Sequence, residues 1–224
     1  MAKPDVTFEF KTHTVTGHGG FVVSSGNRYP HVLRLTLSDE TRKSLPSRVI
    51  LKKEDEELLK RRGDDAPNLF DAEVMAYRHL QALQGEFIPE FHGVTKVAGS
   101  RAMILSDIGG VTLMDDHMPS IEEDQLRHGL RKPLEAIRLC GVLLDDVSPE
   151  NVHYCGGDFM AFDFEFIEMR SSSIEDMMEE VDLQVDMLVE WYKERQDAIH
   201  RDQQQSRIPR ASVGKGVWGW NNYL

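Results

Sequence analysis

The apolar period of this chain changes repeatedly, and each change narrows the folds open to it. Between residues 6 and 53 lie four short runs, VTFEFKTHTV, GGFVV, HVLRLTL and RVILKK, rich in Val, Leu, Phe and Thr. Alternation of this kind sends successive side chains to opposite faces and predicts strands. SSGNRYP and SDETRKSLPS separate the later runs and carry turn residues, so an antiparallel meander is expected. The mixed-charge run EDEELLKRRGDDAPN then reads as a solvated loop or short exposed helix.

The period lengthens in NLFDAEVMAYRHLQALQG. Phe70, Val74, Tyr77, Leu80 and Leu83, with Ala76 alongside, recur at three- and four-residue steps and give one helix an apolar face. Asn68 or Asp71 suits its N-cap and Gly85 its end. EFIPEFHGVT and RAMILSDIGG return to strand. From Ile121 the chain is mainly helical. Ser120 and Glu123 have the spacing of a capping box, and Pro133 is expected to kink or break that helix. GVLLDDV and FMAFDFEF are two further short runs joined through SPENVHYCGGD. The longest helix is predicted over Ile174 to His200, with Ile174, Met177, Met178, Val181, Val185, Leu188 and Tyr192 as its buried stripe. The fold class is therefore α+β.

Composition limits the partners. A formal net charge of −12 disfavours a general nucleic-acid or anionic-membrane surface, because phosphate binding needs clustered Lys and Arg. There are only two cysteines, Cys140 and Cys155, so no disulfide framework is indicated. No apolar run reaches membrane-spanning length, and MAKPDVTFEF holds no apolar signal core. A cytoplasmic monomer is the expectation. Trp218 and Trp220, in a polar Gly-rich tail, are expected to dock.

Three polar residues stand among apolar ones late in the chain: Asp146, Asn151 and Asp163. Acids and amides in such company are costly to bury without partners. A metal ion with a phosphate is one partner; a turn that bonds its own backbone is another. Two facing strands with a turn would bring the three together. Lys52 ends the apolar strand RVILKK, and Glu73 lies in the first turns of the next helix. LSDIGG, Leu105 to Gly110, is a strand exit able to offer main-chain groups of Ser106 and Ile108 to a flat ligand.

In this order the segments resemble the protein-kinase-like superfamily. VILK resembles the lysine strand, DDVSPEN the catalytic loop, and DFE the metal-binding D-F-G segment, in the acidic version of choline-kinase and aminoglycoside-phosphotransferase relatives. AEVMAYRHLQALQGEFIPEFHGV and ILSDIGG further resemble small fungal kinase-like proteins. The resemblance spans about Phe21 to Met169. It implies a bilobal fold: an N-lobe over 1–108 built of an antiparallel sheet and one helix, a reduced, mainly helical C-lobe over 109–200, and a tail over 201–224. It implies ATP and Mg²⁺ as cofactors. Lys52 and Glu73 would position phosphate, Ser106 and Ile108 would meet the base, Asn151 and Asp163 would hold Mg²⁺, and Asp146 would orient the acceptor hydroxyl. The acceptor, protein or small molecule, stays open.

The chain departs from that pattern in several places. Leu144 and Asp145 replace the family's His and Arg, and Ser148 stands where many protein kinases carry a Lys. GHGGF at 17–21 and SSGN at 24–27 are the two candidates for a glycine-rich loop. No activation segment follows DFE. A nucleotide-binding or protein-interaction scaffold without catalysis is the alternative these departures support.

Overall fold

The computed structural model describes residues 5–24, 27–55, 61, 68–145 and 147–207. Asp146, Trp218, Trp220 and most of the charged run after Glu54 lie outside the described residues. The fold is α+β: a curled antiparallel sheet and, among the described residues, three α-helices.

The sheet has six strands: β1 (Asp5–Phe10), β2 (His13–Ser24), β3 (Asn27–Leu37), β4 (Arg48–Lys53), β5 (Phe91–Val97) and β6 (Ser100–Ser106). Their order is β1-β2-β3-β4-β6-β5, all antiparallel. The first four follow the expected meander. VTFEFKTHTV is not one strand, however. It folds back at Lys11, whose φ of 56° makes the tight turn between β1 and β2. The sheet curls until its two edge strands meet, where Thr95 Oγ1 donates to the Glu9 carbonyl at 2.5 Å. Phe8, Phe10, Val15, Leu33, Leu35, Val49, Leu51 and Ile104 fill the inside of the curl. Alternation along β4 then turns Ile50 and Lys52 to the other face.

Helix α1 (Leu69–His79) packs on that other face. Asn68 caps it, its side chain accepting from Asp71 N at 3.1 Å. Phe70, Val74, Ala76, Tyr77 and Leu80 meet Met103 and Leu105 of the sheet, and also Ile137, Val142, Ala161 and Phe164 from the C-terminal half. One continuous core therefore joins the sheet layer to the later helices and strands. The helix stops before Gly85; a short 3₁₀ turn, Gln81–Leu83, intervenes.

The C-terminal half rests on α2 (Glu123–Leu139) and α3 (Ile174–Arg207). Between them and just ahead of α2 lie β7 (Val111–Thr112), β8 (Val142–Leu144), β9 (Val152–Tyr154), β10 (Phe159–Ala161) and β11 (Ile167–Met169). Pro133 is buried within α2 and does not end it. The Ser120 cap is not formed. α2 starts at Glu123, after Glu122, which makes no side-chain cap bond. The reason is tertiary: the Tyr192 hydroxyl of α3 accepts from Ile121 N at 2.7 Å and donates to Pro119 O at 3.0 Å, fixing the approach to the helix. Along α3, Val181, Val185, Leu188 and Tyr192 are buried as expected, joined by Val189. Ile174 is not; it is 72% exposed, in the first turn, ahead of the packed stretch. This core also holds Val147 and Val152, so the DDVSPEN turn sits on α3. The strand pairing differs from the expected one. β10 pairs with β9 across a Gly156–Gly157 turn, and β8 pairs instead with β11, downstream of DFE. Among the described residues no helix is long and apolar enough to cross a membrane. Both cysteines are free.

Candidate functional site

Lys52 lies near the end of β4, hydrogen-bonded into the sheet between β3 and β6, opposite Val32 and Met103. It is 8% exposed. Its ammonium meets three carboxylates: Glu73 Oε2 at 2.7 Å, Asp163 Oδ1 at 2.7 Å and Glu165 Oε1 at 2.9 Å. The contact to Asp163 is a hydrogen bond. That to Glu73 is an ion pair lying off the hydrogen-bond direction, since Glu73 Oε2 makes no hydrogen bond. Burial alone would lower the lysine's pKa. Glu73, Asp163 and Glu165 outweigh it and hold the ammonium well above its ordinary range. Burial raises Glu73 to about 7, against the pull of Lys52, with Asp163 and Glu165 adding to the rise. Three acids thus surround one cation, and the cluster carries surplus negative charge.

The start of α1 sets the aim of Glu73. Arg101 on β6 reaches Glu54 at 2.6 and 2.9 Å and Asp71 at 2.7 Å, and it stacks on Phe70 with its guanidinium 4.6 Å from the ring centre. Asn68 joins the same group by donating to Glu54 Oε1 at 3.1 Å. The sheet and the first turn of α1 are therefore clamped together two residues ahead of Glu73. Glu73 Oε1 in turn accepts from Phe164 N at 3.3 Å.

Asp163 adopts φ 69°, a left-handed conformation uncommon for a residue with a side chain. Such backbone persists where the surroundings impose it, often at functional sites. Here Phe164 is fully buried, its ring edge-on to Tyr77 at 5.0 Å. That anchor swings Asp163 and Glu165 to the Lys52 side. Oxygens of Glu73, Asp163 and Glu165 all lie within 4.8 Å of one another, a set of hard donors suited to a divalent cation such as Mg²⁺. Glu165 was not singled out from the sequence; its signal is the i, i+2 spacing from Asp163 around the buried Phe164.

Beside this cluster opens a cleft of about 850 Å³, mouth included. Val22, Val32, Ile50, Leu105 and Phe162 give it apolar walls. Ile108 lines it too, and among the described residues nothing bonds its main-chain N–H or C=O. Ser106 also lines it but is largely engaged: its hydroxyl accepts from Glu90 N and its N–H donates to Glu90 O, both at 2.9 Å. Ile108 is thus the freer of the two expected contacts. Asp107 between them is 2% exposed at its side chain, paired with Arg34 at 3.3 Å and accepting from Gly109 N at 3.1 Å, which stiffens the exit from β6.

Asn151 lines the cleft as well. Its N–H donates to Ser148 O, and its carbonyl accepts from Phe162 N at 3.0 Å, which draws Asn151 and Asp163 to the same side. Its side-chain amide has no partner among the described residues. His153 stands edge-on to Phe162 at 4.7 Å, and its Nδ1 lies 2.7 Å from Gly109 O. At the mouth, Tyr29 donates to Glu150 at 2.9 Å. A register shift in β3, where Phe21 pairs with Leu33 but Val22 with Tyr29, re-aims this stretch. Two buried hydroxyls in the walls, Tyr77 Oη and Thr112 Oγ1, have no partner.

GHGGF cannot be a loop: it lies inside β2, where Gly17 and Gly19 face Leu37 and Leu35. A Cβ on Gly19 would come within 1.9 Å of the Arg34 carbonyl, so close strand packing explains the glycine. The alternative, SSGN, spans the β2–β3 turn, whose residues 25–26 lie outside the described ones.

The structure therefore brings Lys52, Ser106, Ile108, Asn151 and Asp163 to the lining of one cleft, with Glu73 buried against Lys52. No protein-family model matches the chain, and no curated protein is similar enough to be matched.

Proposed function

We propose that the chain binds a nucleoside triphosphate with Mg²⁺ in this cleft and transfers its terminal phosphoryl group to a hydroxyl acceptor. In this reading the molecule is a reduced bilobal kinase-like protein. The sheet with α1 is its N-lobe over 1–108, and α2 and α3 carry its C-lobe over 109–200. The observation that carries it is the Lys52 ammonium, buried and shared at 2.7 Å by Glu73 and Asp163, at the edge of an apolar cleft.

Each residue has a task matched to its chemistry. Ile108 offers a donor and an acceptor to the edge of a base, between apolar walls. Lys52 neutralises phosphate charge, and Glu73 keeps it aimed. Asn151 and Asp163, with Glu165 beside them, supply hard oxygens for Mg²⁺, and the surplus negative charge of the cluster favours a divalent cation. Bound there, Mg²⁺ would screen the triphosphate. Asp146 would orient the acceptor hydroxyl.

The second reading, a binding module without catalysis, draws on Ser148 and on the mouth of the cleft. The Ser148 hydroxyl accepts from Glu150 N at 3.3 Å and offers no cation to a moving phosphoryl group, while Tyr29 and Glu150 bridge the opening.

Thermal-shift titration with ATP, with and without Mg²⁺, tests the binding step. A hundredfold excess over Kd should stabilise the fold by about 2.7 kcal/mol. If neither form moves Tm, the proposal fails. Phosphate release from Mg-ATP, with water in place of the acceptor, separates the two readings. Asp146→Asn should keep nucleotide affinity and lose release; a wild type that binds but never hydrolyses favours the binding module.

A further inference from the structure

The register shift in β3 brings one more side chain to the charged end of the cleft. Phe21 pairs with Leu33 and Val22 with Tyr29, so Pro30, His31 and Val32 have no partners on β2. Val32 pairs with β4, opposite Lys52, and the two share a face of the sheet. In a regular strand His31 would point to the other face. The bulge re-aims it, and both His31 and Val32 line the cleft. Proline suits such a bulge, because it has no N–H to lose from a ladder.

The His31 side chain is 27% exposed, and its ring stands edge-on to Tyr29 with centres 6.4 Å apart. Asp55 Oδ2 lies 4.0 Å from Nδ1, beyond hydrogen-bond reach. Among the described residues neither ring nitrogen has a hydrogen-bond partner. Burial and then Lys52 hold its pKa below the ordinary value, against Asp55, Glu165 and Asp163. Near neutral pH the ring is therefore uncharged and carries one N–H. The same four charges place it over the Lys52 cluster and away from the Ile108 end. If packing were its only task, leucine would serve as well; what singles out histidine is the unspent N–H. Other donors at this end are committed, Lys52 to three acids and Tyr29 to Glu150. A phosphate chain beside Lys52 would bring oxygens in need of donors. Mg²⁺ takes oxygen ligands, so the imidazole complements the phosphate rather than the metal.

We propose that the His31 imidazole is a phosphate-binding group, donating its N–H to a non-bridging oxygen in the phosphate chain of a nucleotide bound in the cleft. This rests on the nucleotide-binding reading above and adds to it a contact from the sheet.

The test measures Kd for Mg-ATP and for adenosine, which has no phosphate, with wild type, His31→Leu and His31→Gln. His31→Leu should weaken Mg-ATP binding by about 10- to 100-fold, the worth of a hydrogen bond to a charged group, and leave adenosine affinity unchanged. His31→Gln keeps an N–H and should recover part of the loss. Unchanged Mg-ATP affinity in His31→Leu overturns the assignment. An equal loss for both ligands also overturns it, since the ring would then only shape the cleft. Should His31→Leu fail to fold, wild type carrying isotope-labelled histidine decides by NMR. The Mg complex of β,γ-imido-ATP, and not adenosine, should slow exchange of the His31 ring N–H with water; no such slowing refutes the contact. A wild type that binds neither ligand defeats the nucleotide-binding reading itself, and this proposal with it.

Discussion

Tyr29 and Glu150 stand 121 residues apart in the chain and share a 2.9 Å hydrogen bond at the mouth of the cleft. The pair links the β2–β3 hairpin to the turn that carries Asn151. Tyr29→Phe should lower unfolding stability by about 0.5–1.5 kcal/mol, the net worth of one such bond. It should also raise the association rate of a nucleotide by freeing the opening. Stopped-flow binding and urea unfolding read the two effects; an unchanged rate would show that the bond does not restrict access.

Lys52→Met should be the most damaging single change in the cleft. It leaves Glu73, 1% exposed, beside two more acids with no cation. Breaking a buried pair from one side costs about 3–5 kcal/mol. The loss should shrink as pH falls from 8 to 5. Glu73, already pushed up to about 7, rises further without the ammonium and takes up a proton. Urea unfolding at both pH values checks this, and a loss independent of pH would contradict it.

At Asp163 the backbone and the side chain can be separated. Asn tolerates the left-handed conformation at φ 69°, so Asp163→Asn should fold with at least wild-type stability while relieving surplus negative charge. Asp163→Ala adds a backbone cost of about 1 kcal/mol. Both should weaken Mg²⁺-dependent nucleotide binding, and chelation of Mg²⁺ should erase the difference from wild type. Calorimetric titration with and without chelator tests it.

Burial lowers the pKa of His31 and His92 below the ordinary 6.5; Lys52 reinforces the shift at His31, and Glu90 opposes it at His92. Just below that value the unfolded chain binds more protons at these positions than the folded one. Their stabilisation is complete above about 6.5 and is lost as pH falls through the folded values. Glu73, raised to about 7, acts in the opposite sense, losing its contribution as pH rises through that value. His92→Gln should therefore flatten the fall in Tm between pH 7.5 and 5.5 relative to wild type. Parallel profiles for the two proteins would refute the assignment.

Gly129 offers a contest between two effects. It lies inside α2, where alanine is favoured by about 1 kcal/mol. A Cβ there would sit 2.6 Å from the Phe159 ring, and overpacking of this kind costs about 1–3 kcal/mol. Gly129→Ala should therefore destabilise the fold, and Phe159→Leu in the same chain should recover part of the loss. A more stable single variant would mean that the ring moves freely.

Much of the sheet and of the site could be read from the sequence because local pattern and chemistry agreed there. Lys52 lies near the end of an apolar strand, and Glu73 sits on the apolar stripe of α1 between Phe70 and Val74; both are placed where burial demands a partner. The residues that escaped notice depend on contacts distant in the chain. Glu165 is positioned by the burial of Phe164, and Tyr29 by a register shift that no composition reveals. The Ser120 cap failed because Tyr192, on another helix, bonds the backbone first. The pairing of β8 with β11 is likewise a tertiary choice between short strands of similar pattern.

The hydroxyl of Thr95 on the carbonyl of Glu9 has a consequence for solubility during expression and storage. A sheet with two free margins presents rows of unpaired amides and carbonyls to any other strand, including those of a neighbouring copy. By turning the margins of β1 and β5 toward each other, the chain hides both templates at once. Loosening that seam by Thr95→Val would give the protein a surface on which strands of other molecules could add, and self-association would then depend on concentration even while each copy stayed folded.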